Sequence, residues 1–212
     1  MTADAEHSLE IERKYDVDDT TPLPDWSALP GVAAVDPAEA RALDARYLDT
    51  ADGALAASLT ALRRRTGGPD EGWHIKRSTP EGKHESRWPL GAADDDEAPV
   101  PPDAVVAALE HVAAPPFGVL VRIRNARTAY ALRDAAGGLV AEFVDDRVTA
   151  TDVRRGVETS WREWELELGP AAPADEDSRA ALFAAADELV ASAGGRPAAS
   201  GSKLARALGR ER

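Results

Sequence analysis

The 212-residue chain contains no cysteine. Disulfides, thiolate metal centres and cysteine nucleophiles are therefore excluded. It also lacks an apolar run of membrane-spanning length, so no transmembrane helix is expected. The N-terminus, MTADAEHSLE, is acidic and lacks the charged-then-apolar order of a secretory leader, which makes a cytoplasmic location the expectation. Positive charge is in deficit: 25 Lys and Arg against 38 Asp and Glu leave a net charge of −13. A field of that sign repels nucleic acid and anionic membrane but leaves room for a local basic site. Part of the excess lies in ADDDE, residues 93–97, which reads as a solvated loop. What is present is an ordinary soluble composition, 43% apolar and 30% charged, long enough to bury a sizeable core.

Alternating apolar and polar residues predict strands at 9–15, 45–50, 58–66, 73–78, 83–90, 119–132, 139–148 and 156–169. Gly- and Asp-rich turns join most of them as hairpins, so the sheet is expected to be antiparallel. Helices are predicted over 102–113, with Asp103 as N-cap, and over 176–194, where Leu182, Phe183, Ala186, Leu189 and Val190 share one face. PAEARAL, residues 37–43, is a short amphipathic piece, and Asp49 reads as structural. The class is α+β.

The polar faces of these strands are unusual. In LEIERKYDV, residues 9–17, Glu10, Glu12 and Lys14 fall on every second position. Arg63 with Arg65, His74 with Lys76, Glu85 with Arg87, Glu142 with Asp146, and Glu163 with Glu165 and Glu167 repeat the arrangement. For one strand, a solvated face with cross-strand ion pairs is sufficient explanation. Across six strands the segregation of like charges is harder to accept, because side chains two apart on a strand lie about 7 Å from each other and repel. A sheet closed on itself resolves this: apolar faces such as Leu62, Trp73, Ile75, Trp88, Phe143, Trp164 and Leu166 point outward under helices, and charged faces line a tunnel. Hard carboxylate oxygens suit Mg²⁺ or Mn²⁺, and arginine forks suit phosphate oxygens. The expected fold is an eight-stranded antiparallel closed barrel with helices packed outside.

At this point the chain resembles the CYTH domain of the triphosphate tunnel metalloenzymes. EIERK (10–14) matches its ExExK signature, YLDT (47–50) its Y-x-D-T, LRRR (62–65) its L-R-x-R and WHIK (73–76) its W-x-x-K. ARTAY, EFVDD, WELEL and SKLARAL follow in the family's order, so the resemblance runs from residue 9 to 208, with 1–8 and 209–212 as tails. It implies a divalent metal and a triphosphate substrate: inorganic triphosphate, thiamine triphosphate, an RNA 5′ end, or ATP in a cyclase branch. It also implies that Glu10, Glu12, Asp146, Glu165 and Glu167 are metal ligands. Lys14, Arg63, Arg65, Lys76, Arg127 and Lys203 would hold phosphates, with Glu85, Glu142 and Glu163 as supporting acids. In VRIRNAR the parity of Arg122 and Arg124 opposes that of Arg127; the resemblance favours Arg127, with Arg124 the second candidate. SKLARAL also resembles the junction to a helical, polyphosphate-associated CHAD domain; four residues follow it, so no such domain is expected.

His74 could face a phosphate or sit at the rim. Trp73, Trp88, Trp161 and Trp164 read as core beneath helices rather than as stacking platforms. No purine-binding motif is evident. The expected function is metal-dependent hydrolysis of inorganic triphosphate, with Glu10, Glu12, Lys14, Glu165 and Glu167 as the catalytic group. The alternatives are a thiamine triphosphatase, a nucleoside triphosphatase or adenylate cyclase, and a non-catalytic polyphosphate-binding module. The expected partner is a small triphosphate and not nucleic acid or membrane; the protein is expected to be a monomer or homodimer.

Overall fold

A computed structural model of the chain describes residues 5–80, 82–91 and 98–210. The acidic run at 93–97 and the outermost parts of both tails lie outside them. The elements run β1 (Glu6–Glu10), β2 (Glu12–Val17), a 3-10 turn (Trp26–Ala28), β3 (Ala34–Val35), β4 (Glu39–Asp49), α1 (Ala54–Ala57), β5 (Thr60–Thr66), β6 (Gly72–Thr79) and β7 (Gly82–Trp88). They continue with α2 (Asp103–Leu109), β8 (Gly118–Arg133), β9 (Leu139–Asp152), β10 (Val157–Leu168), α3 (Glu176–Ala193), β11 (Arg196–Pro197) and α4 (Lys203–Ala207). All eight expected strands are present. The first is split, and two two-residue strands are added, which gives one antiparallel sheet of 11 strands.

The sheet order is β1-β7-β6-β5-β4-β8-β9-β10-β2-β11, with β3 beside β8. The expected closed barrel is corrected here: hydrogen bonds do not close the sheet among the described residues. Its two ends meet through the covalent chain, because only Ile11 separates β1 from β2. β1 pairs with β7 and β2 with β10. Closure by hydrogen bonds is pre-empted because β11 pairs with the other edge of β2, at Tyr15 and Asp16. The next residue pair extends this contact, as Ala198 N–H donates to Lys14 O at 3.0 Å. PAEARAL turns out to supply the first half of β4, where residues 39–47 pair with β8.

Two apolar clusters cover the outer faces. In the first, Tyr15, Phe143, Trp164 and Leu166 meet Leu182, Phe183, Ala186 and Val190 of α3. The Phe143 and Trp164 rings stand edge to face at 5.7 Å. In the second, Leu62, Trp73, Ile75 and Trp88 lie under Val105 and Leu109 of α2 and Leu55 of α1. Each such fully buried side chain contributes about 2 kcal/mol by transfer from water. The boundaries of α3 follow from capping. Asp175 accepts from Ser178 N–H, two acids occupy the first turn, and Gly194 ends the helix at φ 99°, a left-handed conformation that glycine adopts without strain. Asp49 is structural as expected: it is buried and accepts from the backbone of Thr50, Leu55 and Ala56 to anchor α1.

A third cluster lies on the inner face. Leu204 and Ala207 of α4, with Leu208 at its C-terminal cap, pack on Tyr47, Ile123, Val148 and Ala150. Trp161 belongs here, which corrects its assignment to the outer core. Its parity is that of Glu163 and Glu165, its Nε1–H donates to Glu163 at 2.5 Å, and the Arg206 guanidinium lies 4.9 Å from its ring centroid. α4 therefore closes off one end of the inner face with apolar contacts, and charge fills the rest.

Candidate functional site

Antiparallel pairing sets the site. Opposed residues share a face, so Glu165 stands across from Lys14, Glu167 from Glu12, Arg127 from Asp146, and Lys76 from Glu85. The sheet curls far enough for its two ends to border one cavity of about 110 Å³. That cavity is lined by Glu10, Glu12, Lys14, Arg63, Arg65, Lys76, Arg127, Glu165, Glu167 and Lys203. Ten of the residues picked out from the sequence thus converge. One ion pair crosses between the sheet ends, Lys83 of β7 to Glu12 of β2 at 2.5 Å, while Lys76 of β6 reaches Glu10 of β1 at 2.6 Å over the intervening β7.

At the centre, Glu165 accepts from Lys14, from Lys203 at 2.7 Å and from Arg127 at 3.1 Å. Burial disfavours its ionised form, yet these three cations hold its pKa well below the usual carboxylate range. Asp146, fully buried, is clamped by Arg127 through two bonds at 2.7 and 2.8 Å and by Lys203 at 2.9 Å. Burial works against it as well, and Lys203 and Arg127 keep its pKa low. Asp146, Glu163 and Glu165 offer oxygens within 4.8 Å of one another. The Lys203 ammonium stands among them, 2.6 Å from Glu163.

Away from this centre like charges crowd at both poles, although Arg63 meets Glu85 at 3.4 Å and Arg65 pairs with Asp70. Arg65 is buried and its pKa is lowered to about 9, first by burial and then by the like charges of Arg63 and Arg127. The Nε atoms of Arg63 and Arg65 are buried without a hydrogen-bond partner. At the other pole, Glu167 is raised to about 7 by burial and by Glu10, Glu12 and Glu165, against the opposing pull of Lys76. Among the described residues it makes no hydrogen bond or ion pair. Carboxylates crowded in this way fit a divalent cation, whose hard-oxygen preference matches the donor set.

Five candidates do not line the cavity, the first of them Asp146, buried behind Arg127 and Lys203. Arg124 projects from the outer side of β8, half-exposed, and pairs with Glu158 at 3.1 Å; Arg127 is the member of that run that lines the cavity. Glu142 pairs with Arg41 at 3.0 Å. Glu85 stands behind Lys76 and Arg63, at 2.9 and 3.4 Å. Glu163 completes the buried acidic group beside Asp146. His74 is neither a phosphate contact nor a rim residue: it is fully buried, 3.1 Å from Glu85.

Sequence reasoning passed over Tyr47, Lys83, Asn125 and Ser202, which also line the cavity. Parity held the signal for two of them, since Lys83 alternates with Glu85 and Asn125 with Arg127. A second chamber was missed as well. About 270 Å³ in volume, it adjoins the first through Tyr47, Lys76, Lys83 and Ser202, and it is walled by Ala56, Leu59, Ala61, Leu204 and Leu208.

This arrangement of acids and bases on the inner face of a curled antiparallel sheet has known counterparts. The chain matches the CYTH domain over residues 8–207 and belongs to that family. It is 37% identical to two uncharacterized proteins of Mycobacterium tuberculosis, from strains Oshkosh and H37Rv, over 95% of its own length. It spans 40% of the length of those relatives. Among solved structures, a candidate adenylate cyclase from Bacillus halodurans superposes with a TM-score of 0.64 at 19% identity, covering 94% of this chain and 97% of that one. A candidate adenylyl cyclase from Hippeastrum, whose dominant activity is that of a triphosphatase, superposes with a TM-score of 0.54 at 16% identity, covering 96% and 97%. These likenesses establish a shared fold. No helix among the described residues is long and apolar enough to cross a membrane.

Proposed function

We propose that this protein is a divalent-metal-dependent triphosphatase, with inorganic triphosphate as substrate and the curled sheet acting as a tunnel around it. One observation carries the reading. One small cavity crowds Arg63 and Arg65 at one pole, each with a buried Nε that makes no hydrogen bond, and at the other holds Glu167, which among the described residues makes no hydrogen bond or ion pair. Crowded like charges in a buried site are costly, so the cavity is complementary to a ligand that brings both signs: a phosphate chain with its metal.

Arg63, Arg65, Arg127, Lys14, Lys76 and Lys203 would bind and orient the phosphates and stabilise charge that builds up on the departing pyrophosphate. Glu10, Glu12, Asp146, Glu165 and Glu167 would hold Mg²⁺ or Mn²⁺, with Glu163 beside them. When bound, such an ion polarises phosphate oxygens and lowers the pKa of a water nucleophile. Glu12 and Glu167 border the cavity where they can orient attacking water, and the apolar contacts of α4 restrict solvent at one end.

A second reading is favoured by the apolar chamber beside Lys76 and Lys83, which offers room for an organic group on the last phosphate: a thiamine or nucleoside triphosphate, or ATP as a cyclase substrate. Phosphate release from inorganic tri- and polyphosphates, thiamine triphosphate and ATP, with Mg²⁺ or Mn²⁺ and with excess chelator, separates these readings. Turnover of inorganic triphosphate that stops with chelator is expected. Full turnover in chelator would remove the metal from the mechanism, and binding without turnover of any of them would leave a polyphosphate-binding module.

A further inference from the structure

We infer that Lys203 is a tethered cation: its ammonium fills the place among Asp146, Glu163 and Glu165 that a second divalent ion would otherwise take. The inference rests on the metal-binding reading of the cavity and divides the acids named there. The three carboxylates are buried and offer oxygens within 4.8 Å of one another, a cluster suited to one hard cation. Lys203 Nζ stands inside it. It donates to Glu165 Oε1 at 2.7 Å and forms ion pairs with Glu163 Oε1 at 2.6 Å and Asp146 Oδ2 at 2.9 Å. Glu163 Oε1 is buried and makes no hydrogen bond, so charge attraction alone compensates it. An ammonium has three directed donors, whereas a metal ion attracts equally in every direction. The orphaned oxygen is what a spherical cation would satisfy and this ammonium does not.

Charge balance separates this centre from the neighbouring pole. Lys203, Arg127 and Lys14 face Asp146, Glu163 and Glu165, three cations against three carboxylates. Arg206 lies 3.9 Å from Glu163 and is engaged by Asp16. At the pole formed by Glu10, Glu12 and Glu167, Lys76 pairs with Glu10 but is shared with Glu85, and Lys83 pairs with Glu12. Lys14 also lies 3.1 Å from Glu12, yet donates to Glu165. A divalent ion therefore gains attraction at the pole and little at the centre, where the ammonium would first have to leave. The arm reaches the acids from a fixed base. Ser202 caps α4 by accepting from Ala205 N–H at 3.1 Å, Leu204 and Ala207 pack on the apolar floor, and β11 pairs with β2 just before the helix. None of these anchors uses the Lys203 side chain, so a substitution there leaves them in place.

Mn²⁺ binding to the full chain without any phosphate ligand, counted by electron paramagnetic resonance of the free ion, tests this. Wild type should take up one ion, at the pole of Glu10, Glu12 and Glu167. Lys203→Met keeps the arm but removes its charge, and it should take up one ion more. Adding Glu163→Gln to that variant should abolish the extra ion, whereas Glu163→Gln alone should leave the wild-type count unchanged. Lys203→Met should also melt below wild type in chelator, because its buried acids lose a counter-charge, and Mn²⁺ should raise its melting temperature more than that of wild type. Lys203→Ala carries the same expectations should the methionine variant not fold. Equal counts in wild type and the Lys203 variants, two ions in wild type, or failure of both variants to fold even in millimolar Mn²⁺ would overturn the inference. No uptake by wild type together with one ion in Lys203→Met would instead uphold the tethered cation and overturn the metal-binding reading of the other pole.

Discussion

Replacing His74 by Asn should make the fold less sensitive to mild acid. In the unfolded chain a histidine titrates near its ordinary value of 6.5, whereas burial and Arg63 hold the folded His74 at about 3. The folded state therefore binds fewer protons than the unfolded state throughout that interval. The stability associated with neutral His74 is fully present above pH 6.5 and is lost as pH falls toward 3. Between pH 8 and pH 5 the loss is the unfolded histidine's protonation energy, 1.5 pK units or about 2 kcal/mol at 1.36 kcal/mol per unit. That figure barely changes while the folded imidazole titrates anywhere below about pH 4. The window also lies above the range in which Glu85 contributes, since its lowered pKa sheds stability only as pH drops below its unfolded value of 4.5. Urea unfolding followed by tryptophan fluorescence at the two pH values would measure the effect. Wild type should lose about 2 kcal/mol more than His74→Asn across the interval. Parallel losses in the two proteins would show that His74 is not held neutral, and the account of its environment would fail.

Three other outcomes are expected. Glu165→Gln removes the carboxylate on which Lys14, Lys203 and Arg127 converge, and phosphate release should fall on the order of a hundredfold or more; an unchanged rate would detach this strand from the chemistry. Triphosphate with metal binds only the folded cavity, so at a hundredfold excess over Kd it should add about 2.7 kcal/mol; a thermal-shift assay showing no change at saturation would count against the site. Inorganic triphosphate should exceed ATP in kcat/KM by at least ~10-fold, about 1.4 kcal/mol of differential binding, and the reverse preference would transfer the assignment to the chamber walled by Leu59, Leu204 and Leu208.

Much of the candidate site was legible because side-chain parity is a local property. A strand alternates its faces whatever lies beside it, so Glu10, Glu12 and Lys14 had to share a face, and so did Arg63 with Arg65 and Glu163 with Glu165 and Glu167. The same rule offered Lys83, Asn125 and Trp161, whose positions alternate with known members of the inner face. Trp161 was drawn to the outer core by its apolar character, although its parity was that of the glutamates. The helices under which Trp73, Trp88 and Trp164 lie were foreseeable from amphipathic spacing, although Asp103, expected as an N-cap, is instead the first residue of α2, with Pro102 at the cap position.

Pairing is another matter, because it is decided between segments far apart in the chain. Parity left Arg124 and Arg127 as competitors; the register of β8 against β9 placed Arg127 against Asp146 and left Arg124 with Glu158. No local pattern revealed that the second edge of β2 would be taken by β11 from near the C-terminus, and that contact is why the sheet ends meet through Ile11 instead of through a hydrogen-bonded ladder. The inner packing of α4, which carries Lys203 among Asp146, Glu163 and Glu165, depends on an apolar floor assembled from β4, β8 and β9. The sequence by itself determined which side chains are displayed together on each strand, since steric alternation needs only the chain's own neighbours. Only the tertiary structure decided which strands distant in the chain face one another, because the pairings of β1 with β7, β4 with β8, and β2 with β10 and β11 are made by burial and charge pairing between segments that no local pattern connects.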